Sequence, residues 1–390
     1  MARATTSPVS VVADPRLREY DFGPGHPFQV ASRWLAVRLL EEDGFFDGHP
    51  ERVAIREVPM ASREELLRFH REAYLDRVDG AGEGPRTEFL DQGDTPAFPG
   101  CYRAAARVAG ATLAALAIVE QGGGRRAFQP AGGLHHAHPD RASGFCIFND
   151  VALAVATAIG PGRRRRVAYI DVDAHHGDGV MYGFYDDGRL LDIDFHQDGR
   201  TIFPGTGAVG ETGAGDGAGL KVNLPMPPGS GDRVFGTLFS RLVPTLVREF
   251  RPEVIVLQCG VDAHRDDALA QLRLTPASYE LAVGGLSSLA DEMCQGRLLV
   301  TGGGGYDAAN VSRVLASVPR WLSGEHPDVG RKVPERWRAE FAETTGEPAP
   351  RSWAVAAADR PNDDPVAEAL VSEIGSALGR KFPVGATPTR

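Results

Sequence analysis

Cysteine is scarce: Cys101, Cys146, Cys259 and Cys294 are scattered through 390 residues with no CxxC pair. That excludes a disulfide framework and a paired-cysteine zinc finger, and it fits a reducing cytoplasm. Positive charge is in deficit, with 42 Lys+Arg against 52 Asp+Glu and a net charge of −10. A nucleic-acid-binding surface is normally basic, so no nucleic-acid partner is expected. The basic run Arg163–Arg166 reads as a solvated loop before a strand. MARATTSPVSVV holds no secretory apolar core, and no apolar run reaches the length of a membrane span, so no membrane partner is expected. The longest such run, Val108–Val119, suits a buried helix. The Gly-rich stretch 202–219, IFPGTGAVGETGAGDGAG, lacks the Lys-Ser/Thr ending of a phosphate-binding loop, which excludes that mode of nucleotide binding. No internal repeat is found.

What is present is an alternation of strand-like and helix-like stretches, with 42% hydrophobic content, enough for one large domain or two moderate ones. Strands are expected at 10–13 (an edge strand), 127–130, 167–172, 190–195, 254–258 and 297–301. Helices are expected at 31–42, 101–120, 151–159, 232–250 and 366–378. A capping box, SREE from Ser62, opens a further helix that is expected to continue into FHREAYLDRV. Residues 80–100 are turn-rich and without a periodic pattern. The alternation predicts one α/β domain with a mostly parallel sheet.

Polar residues gather where the apolar runs end. In RVAYIDVDAHHGDG, residues 166–179, Asp171, Asp173, His175, His176 and Asp178 crowd the end of a buried strand. Ligand sites of open α/β sheets lie beyond the carboxyl ends of their strands. Asp173 and His175 are two apart and project to one side of extended chain, making half of a catalytic zinc or iron(II) site. Three other strand ends deliver the pair His135/His136, Asp262, and Tyr306 behind four glycines. A solvated strand-to-loop turn explains any one cluster, but not the convergence of four.

LHHA followed by ASGFCIFND, then YIDVDAHHGDG, IFPGTG, GVDAH and GGGGYD, in that order, resemble the histone deacetylase superfamily. FGPGHPF, GDTP at 93–96 and GGLHHAHPDRASGFC resemble its bacterial acetoin-utilisation branch. The resemblance spans about residues 8–325. It implies an arginase/deacetylase-like three-layer α/β/α sandwich around an eight-stranded sheet, with a catalytic domain at 1–325. Residues 326–390 form a C-terminal extension, partly helical or disordered, and a candidate for covering the site or for homo-oligomer contacts.

The resemblance assigns Asp173, His175 and Asp262 as ligands of Zn2+ or Fe2+, and His135 and His136 as the paired histidines beside the metal. Asp171 and Asp178 are their carboxylate partners, and Tyr306 is the hydroxyl that polarises the amide carbonyl. Gly144, Phe145 and Phe203 would line an acyl-lysine tunnel, with Asp94 and Leu269 at its rim. A structural K+ or Na+ would lie at Asp171, Asp173, His175, Asp194 and Phe195. The reaction implied is metal-assisted hydrolysis that removes acetyl from lysine side chains of an acetylated protein or peptide, such as a metabolic enzyme of the acetyl-CoA synthetase kind.

The chain departs from the family at two places. His26 and Arg33 stand seven apart where six is usual, and Asp194 replaces a common Ser. Three rival readings are distinguishable. An arginase-like dimetal enzyme would carry an Asp two residues after the ligand His, where this chain has Gly177. An acetylpolyamine amidohydrolase would have an acidic gate near Leu269. A catalytically inactive acyl-lysine binder would have lost Tyr306 or a ligand.

Overall fold

The structure, a computed structural model, describes residues 8–83, 88–160, 166–326, 330–353 and 364–379. Eight strands form one sheet: β1 Val9–Val12, β2 Arg52–Ile55, β3 Arg126–Gln129, β4 Val167–Asp171, β5 Leu190–Gln197, β6 Lys221–Met226, β7 Val254–Gln258 and β8 Leu298–Thr301. Their order is β2-β1-β3-β8-β7-β4-β5-β6, and every pairing is parallel. Helices cover both faces, which gives the expected three-layer sandwich.

The period of two explains the layers. On β4, Ala168 and Ile170 join one buried cluster while Val167 and Tyr169 join the other. On β7, Ile255 and Leu257 divide from Val254 and Val256 in the same way. Both faces of these strands are dry, so they read as continuous apolar runs. Helix Asp232–Phe250 buries Phe235, Leu238, Phe239, Leu242, Leu246 and Val247 along one stripe. Each such side chain contributes about 1.5–3 kcal/mol when withdrawn from water.

Several expectations need correction. The first strand, β1, is not an edge but lies between β2 and β3; the edges are β2 and β6. The capping box at Ser62 forms as expected, but its helix stops at Leu66, and a separate helix, Glu72–Ala81, follows. The Ala-rich helix Cys101–Glu120 is long and apolar enough to cross a membrane, contrary to the sequence reading. It packs instead against helix Asp150–Ile159 and β3, with most of its residues buried. Of the basic run, residues 163–165 lie outside the described residues.

The core continues past residue 325. Trp337 and Phe341, on helix Glu335–Thr345, are fully buried, and Trp337 Nε1 donates to Leu35 O at 2.7 Å on helix Val30–Glu42. Helix Asp364–Leu378 lays Ala367, Val371 and Ile374 against helix Asp232–Phe250 and β6.

Candidate metal centre and active site

The site lies at the carboxyl ends of the central strands. β4 ends at Asp171, opposite Asp194 on β5 and Gln258 on β7. The chain leaving β4 carries Asp173 and His175, and the chain leaving β7 carries Asp262. One ligand atom from each of Asp173, His175 and Asp262 lies within 4.8 Å of the others, and all three residues are buried. His175 Nδ1 is 2.9 Å from Asp262 Oδ2 and 3.2 Å from Asp173 Oδ1.

Burial and the neighbouring Asp173 charge raise the pKa of the Asp262 carboxyl. Burial opposes charge on His175, but the Asp262 and Asp173 carboxylates outweigh it and push the ring up. Two buried carboxylates this close call for a cation between them. Glycine makes the room: a Cβ on Gly260 would overlap the Asp173 carboxylate, and one on Gly304 the Asp262 carboxylate. Oxygen and imidazole donors in this number fit a divalent ion such as Zn2+ or Fe2+. Gly177 leaves no place for an additional ligand side chain, since a Cβ there would stand 2.7 Å from Asp171 Oδ2.

The candidate ligands are held by neighbours, of which Gln258 stands outside every motif singled out in the sequence. Asp173 Oδ2 accepts from Gln258 Nε2 at 2.8 Å and from Gly304 N at 2.8 Å. Asp262 Oδ1 accepts from Ala174 N at 2.7 Å. Such contacts orient ligands and tune their basicity.

The paired histidines follow β3 on a glycine-rich turn. Asn149 Nδ2 donates to the carbonyls of His135 and Ala137 at 2.8 and 2.9 Å, fixing that turn. His135 Nδ1 lies 2.7 Å from Asp171 Oδ2, and His136 Nδ1 lies 2.8 Å from Asp178 Oδ1. The two Nε2 atoms face each other at 3.1 Å. Burial disfavours a charge on His135, but Asp171, with Asp173 and Asp194 behind it, prevails and lifts the ring to about 10. Burial and the His135 charge push His136 down to about 4. The carboxylates thus favour charge on His135, while its charge and burial favour the neutral form of His136. Tyr169 adds a hydroxyl donor to Asp171, and His138 Nε2 meets Asp178 Oδ2 at 3.0 Å.

Aromatic rings wall the approach. Phe203, 42% exposed, sets its ring 5.1 Å from that of His136, and Phe145 lies 6.1 Å from Tyr306. Gly144 has φ +53°, and a Cβ there would stand 2.5 Å from His136 Cδ2 and 2.9 Å from Phe203 Cε1. Phe145 follows in the left-handed region at φ 66°, held by Tyr20 Oη on its carbonyl and by Thr95 Oγ1 accepting its N–H. Asp94 and Leu269, expected at the rim, are exposed, and Asp94 O sits 3.2 Å from His26 Nε2. Arg33 is buried despite the altered spacing from His26, and its Nη2 donates to Gly303 O at 2.7 Å, next to Gly304, whose amide bonds Asp173.

At the expected monovalent site, Asp194 Oδ2 accepts from Gly177 N at 2.7 Å and Oδ1 meets His196 Nδ1 at 2.7 Å. The His196 ring is pushed towards its charged form: burial opposes this, and Asp194 overrides it. Asp194 is thus paired with His196 as well as with the Gly177 amide. Phe195 packs its ring against Phe235, so only its main chain is free to face an ion.

The family model described as "Histone deacetylase domain" matches residues 26–322. The "Acetoin utilization protein AcuC" of Bacillus subtilis (strain 168) is 36% identical over 349 residues, covering 88% of this chain and 88% of that protein. The protein of the same name from Staphylococcus xylosus is 34% identical over 345 residues, covering 86% and 88%. That from Staphylococcus aureus (strain N315) is 32% identical over 371 residues, covering 92% and 91%.

Proposed function

The chain belongs to the histone deacetylase family, and from that premise we propose that it is a cytoplasmic, metal-dependent deacetylase acting on acetyl-lysine in proteins or peptides. The observation that carries the reading is the buried Asp173–His175–Asp262 triad set beside a histidine pair, each ring held by its own carboxylate and the two Nε2 atoms 3.1 Å apart. When bound, a divalent metal supplies a Lewis acid for the amide carbonyl and makes a water molecule more acidic. His136, neutral and packed on the tunnel ring Phe203, takes the water's proton. Asp178 holds that ring through Nδ1, which leaves Nε2, the atom that also faces His135 Nε2 at 3.1 Å, to take the proton. The pair then returns a proton to the departing amine. Tyr306 polarises the carbonyl oxygen through its hydroxyl, an effect whose loss costs about 100- to 1,000-fold in comparable sites.

Phe203 beside His136 and Phe145 beside Tyr306 support apolar side walls for an extended acyl-lysine arm. Exposed Leu269 at the rim, where a polyamine-selective relative would carry an acidic gate, supports a peptide over a free polyamine. The four cysteines, all buried and unpaired, support a reducing compartment.

The test is turnover of an acetyl-lysine peptide and an N-acetylpolyamine side by side, with zinc- and iron(II)-loaded enzyme and Tyr306→Phe as comparison. Peptide turnover well above polyamine turnover, with a loss of at least about 100-fold on removing the hydroxyl, is the expected result. Preference for the polyamine overturns the substrate. Tight peptide binding without turnover by either metal form leaves an acyl-lysine binder.

A further inference from the structure

Tyr306 follows four glycines, Gly302–Gly305, and this segment cannot be pinned by side chains of its own. Nor is there room for any. A Cβ on Gly302 would overlap the Pro130 carbonyl, one on Gly303 the Gln258 side chain, and one on Gly305 would meet Val311 at 2.6 Å. Gly305 also has φ +132°, open only to glycine in practice. The segment is held by its backbone instead. Gly302 N donates to Gln129 O at 2.9 Å, Arg33 holds Gly303 O, and Gly304 N donates to Asp173 while its carbonyl accepts from Val261 N at 2.8 Å. These anchors stop at Gly304. On the other side, Asp307 caps helix Ala308–Leu322 through Asn310 N at 2.7 Å. Between them, the Tyr306 amide donates to one group, Asp267 Oδ2, at 2.8 Å.

Asp267 belongs to the loop that follows the ligand Asp262. Its own N–H donates to His264 O at 2.9 Å, and its other oxygen, Oδ1, accepts from Leu269 N at 2.9 Å. One half-buried carboxylate therefore ties the catalytic tyrosine's backbone to the rim residue Leu269. A carboxylate accepting two backbone N–H groups makes charge-assisted bonds, stronger than neutral ones. An oxyanion-stabilising hydroxyl must arrive within a few tenths of an ångström of its target.

We propose that Asp267 is a positioning residue for Tyr306, holding the glycine-rich segment so that the hydroxyl meets the substrate carbonyl. The inference rests on the deacetylase reading above. The test is Asp267→Asn, which keeps the shape but must present an NH2 to one of the two amides. Asp267→Ala removes both acceptors and serves as a second variant.

With the metal-loaded full chain and an acetyl-lysine peptide, kcat should fall by about 10- to 100-fold, the scale of a misplacement near 1 Å, with KM changed far less. In a Tyr306→Phe background the same substitution should cost less than about threefold, since the group it positions is gone. Amide hydrogen exchange across 302–307 should quicken in the metal-free protein, independently of turnover. Unchanged kcat, full additivity with Tyr306→Phe, or unchanged exchange would overturn the proposal. If the wild type hydrolyses neither peptide nor polyamine, the deacetylase reading fails by itself, and the exchange measurement still decides whether Asp267 holds Tyr306.

Discussion

Replacing Gln258 by Leu should separate metal affinity from fold stability. Gln258 is fully buried at the end of β7. Its Nε2 supplies one of two donors on Asp173 Oδ2, and its Oε1 accepts from Gly260 N at 2.7 Å. Leucine matches the volume but makes neither bond. Asp173 keeps Gly304 N and loses the donor that fixes its plane, and removing a partner of this kind lowers metal affinity by about 10- to 100-fold, or about 1.4–2.8 kcal/mol. The orphaned Gly260 amide, buried beside the site, separately costs the metal-free fold about 1–3 kcal/mol. The first quantity is read by competition for zinc against a chromophoric chelator. The second is read by urea unfolding of the metal-free protein. Loss of stability with zinc affinity within about twofold of wild type would refute the claim that Gln258 orients a ligand.

Gly144→Ala should cut kcat sharply while leaving a folded protein, because the left-handed position costs only about 1–2 kcal/mol whereas the new methyl pushes on His136 and Phe203; activity above half of wild type would contradict the tight wall. His70 donates from Nδ1 to His138 O and accepts Asn149 N at Nε2, and burial pushes it down to about 3. Its folded pKa lies below the unfolded value, so its contribution is complete above about pH 6.5 and lost as pH falls, at about 1.4 kcal/mol per pH unit. His136 and His176, pushed down to about 4, act in the same direction, while His135 at about 10 acts in the opposite one. Stability of metal-free His70→Gln should therefore depend on pH between 6 and 4 by one proton less than wild type; an unchanged slope would count against the fixed neutral tautomer. Trp337→Ala should cost about 3–5 kcal/mol in urea unfolding; a loss under 1 kcal/mol would mean that helix Glu335–Thr345 only rests on the core.

The sequence carried the central strands well because β4 and β7 are almost wholly apolar and β5 alternates with a period of two, each running into polar residues at its carboxyl end. It carried β2 and β6 poorly. β2 has four residues with only Arg52 buried, and β6 contains Lys221 and Pro225, residues that argue against a strand. Pro225 is tolerated because β6 is an edge. The ligands and the histidine pair stood out because their side chains are rare at strand ends and come in clusters. Gln258, Tyr169 and Asn149 act on the same site but are single polar residues inside ordinary segments. Only the strand register, which sets Gln258 opposite Asp171, gives them meaning. Asp267 was hidden in RDDA, where nothing in the spacing tells a solvated turn from a carboxylate holding two amides.

The strand order also bears on how the site comes into being. The residues that converge come from β3, β4, β7 and β8, which adjoin in space yet span residues 126 to 301 in the chain. A ribosome-bound chain that has emerged only through β5 presents Asp173 and His175 without Asp262, and its sheet lacks the two strands that join β3 to β4. Long-range parallel pairing of this kind forms late. A nascent polypeptide therefore offers no complete set of the three candidate ligands until synthesis has passed Asp262, beyond β7.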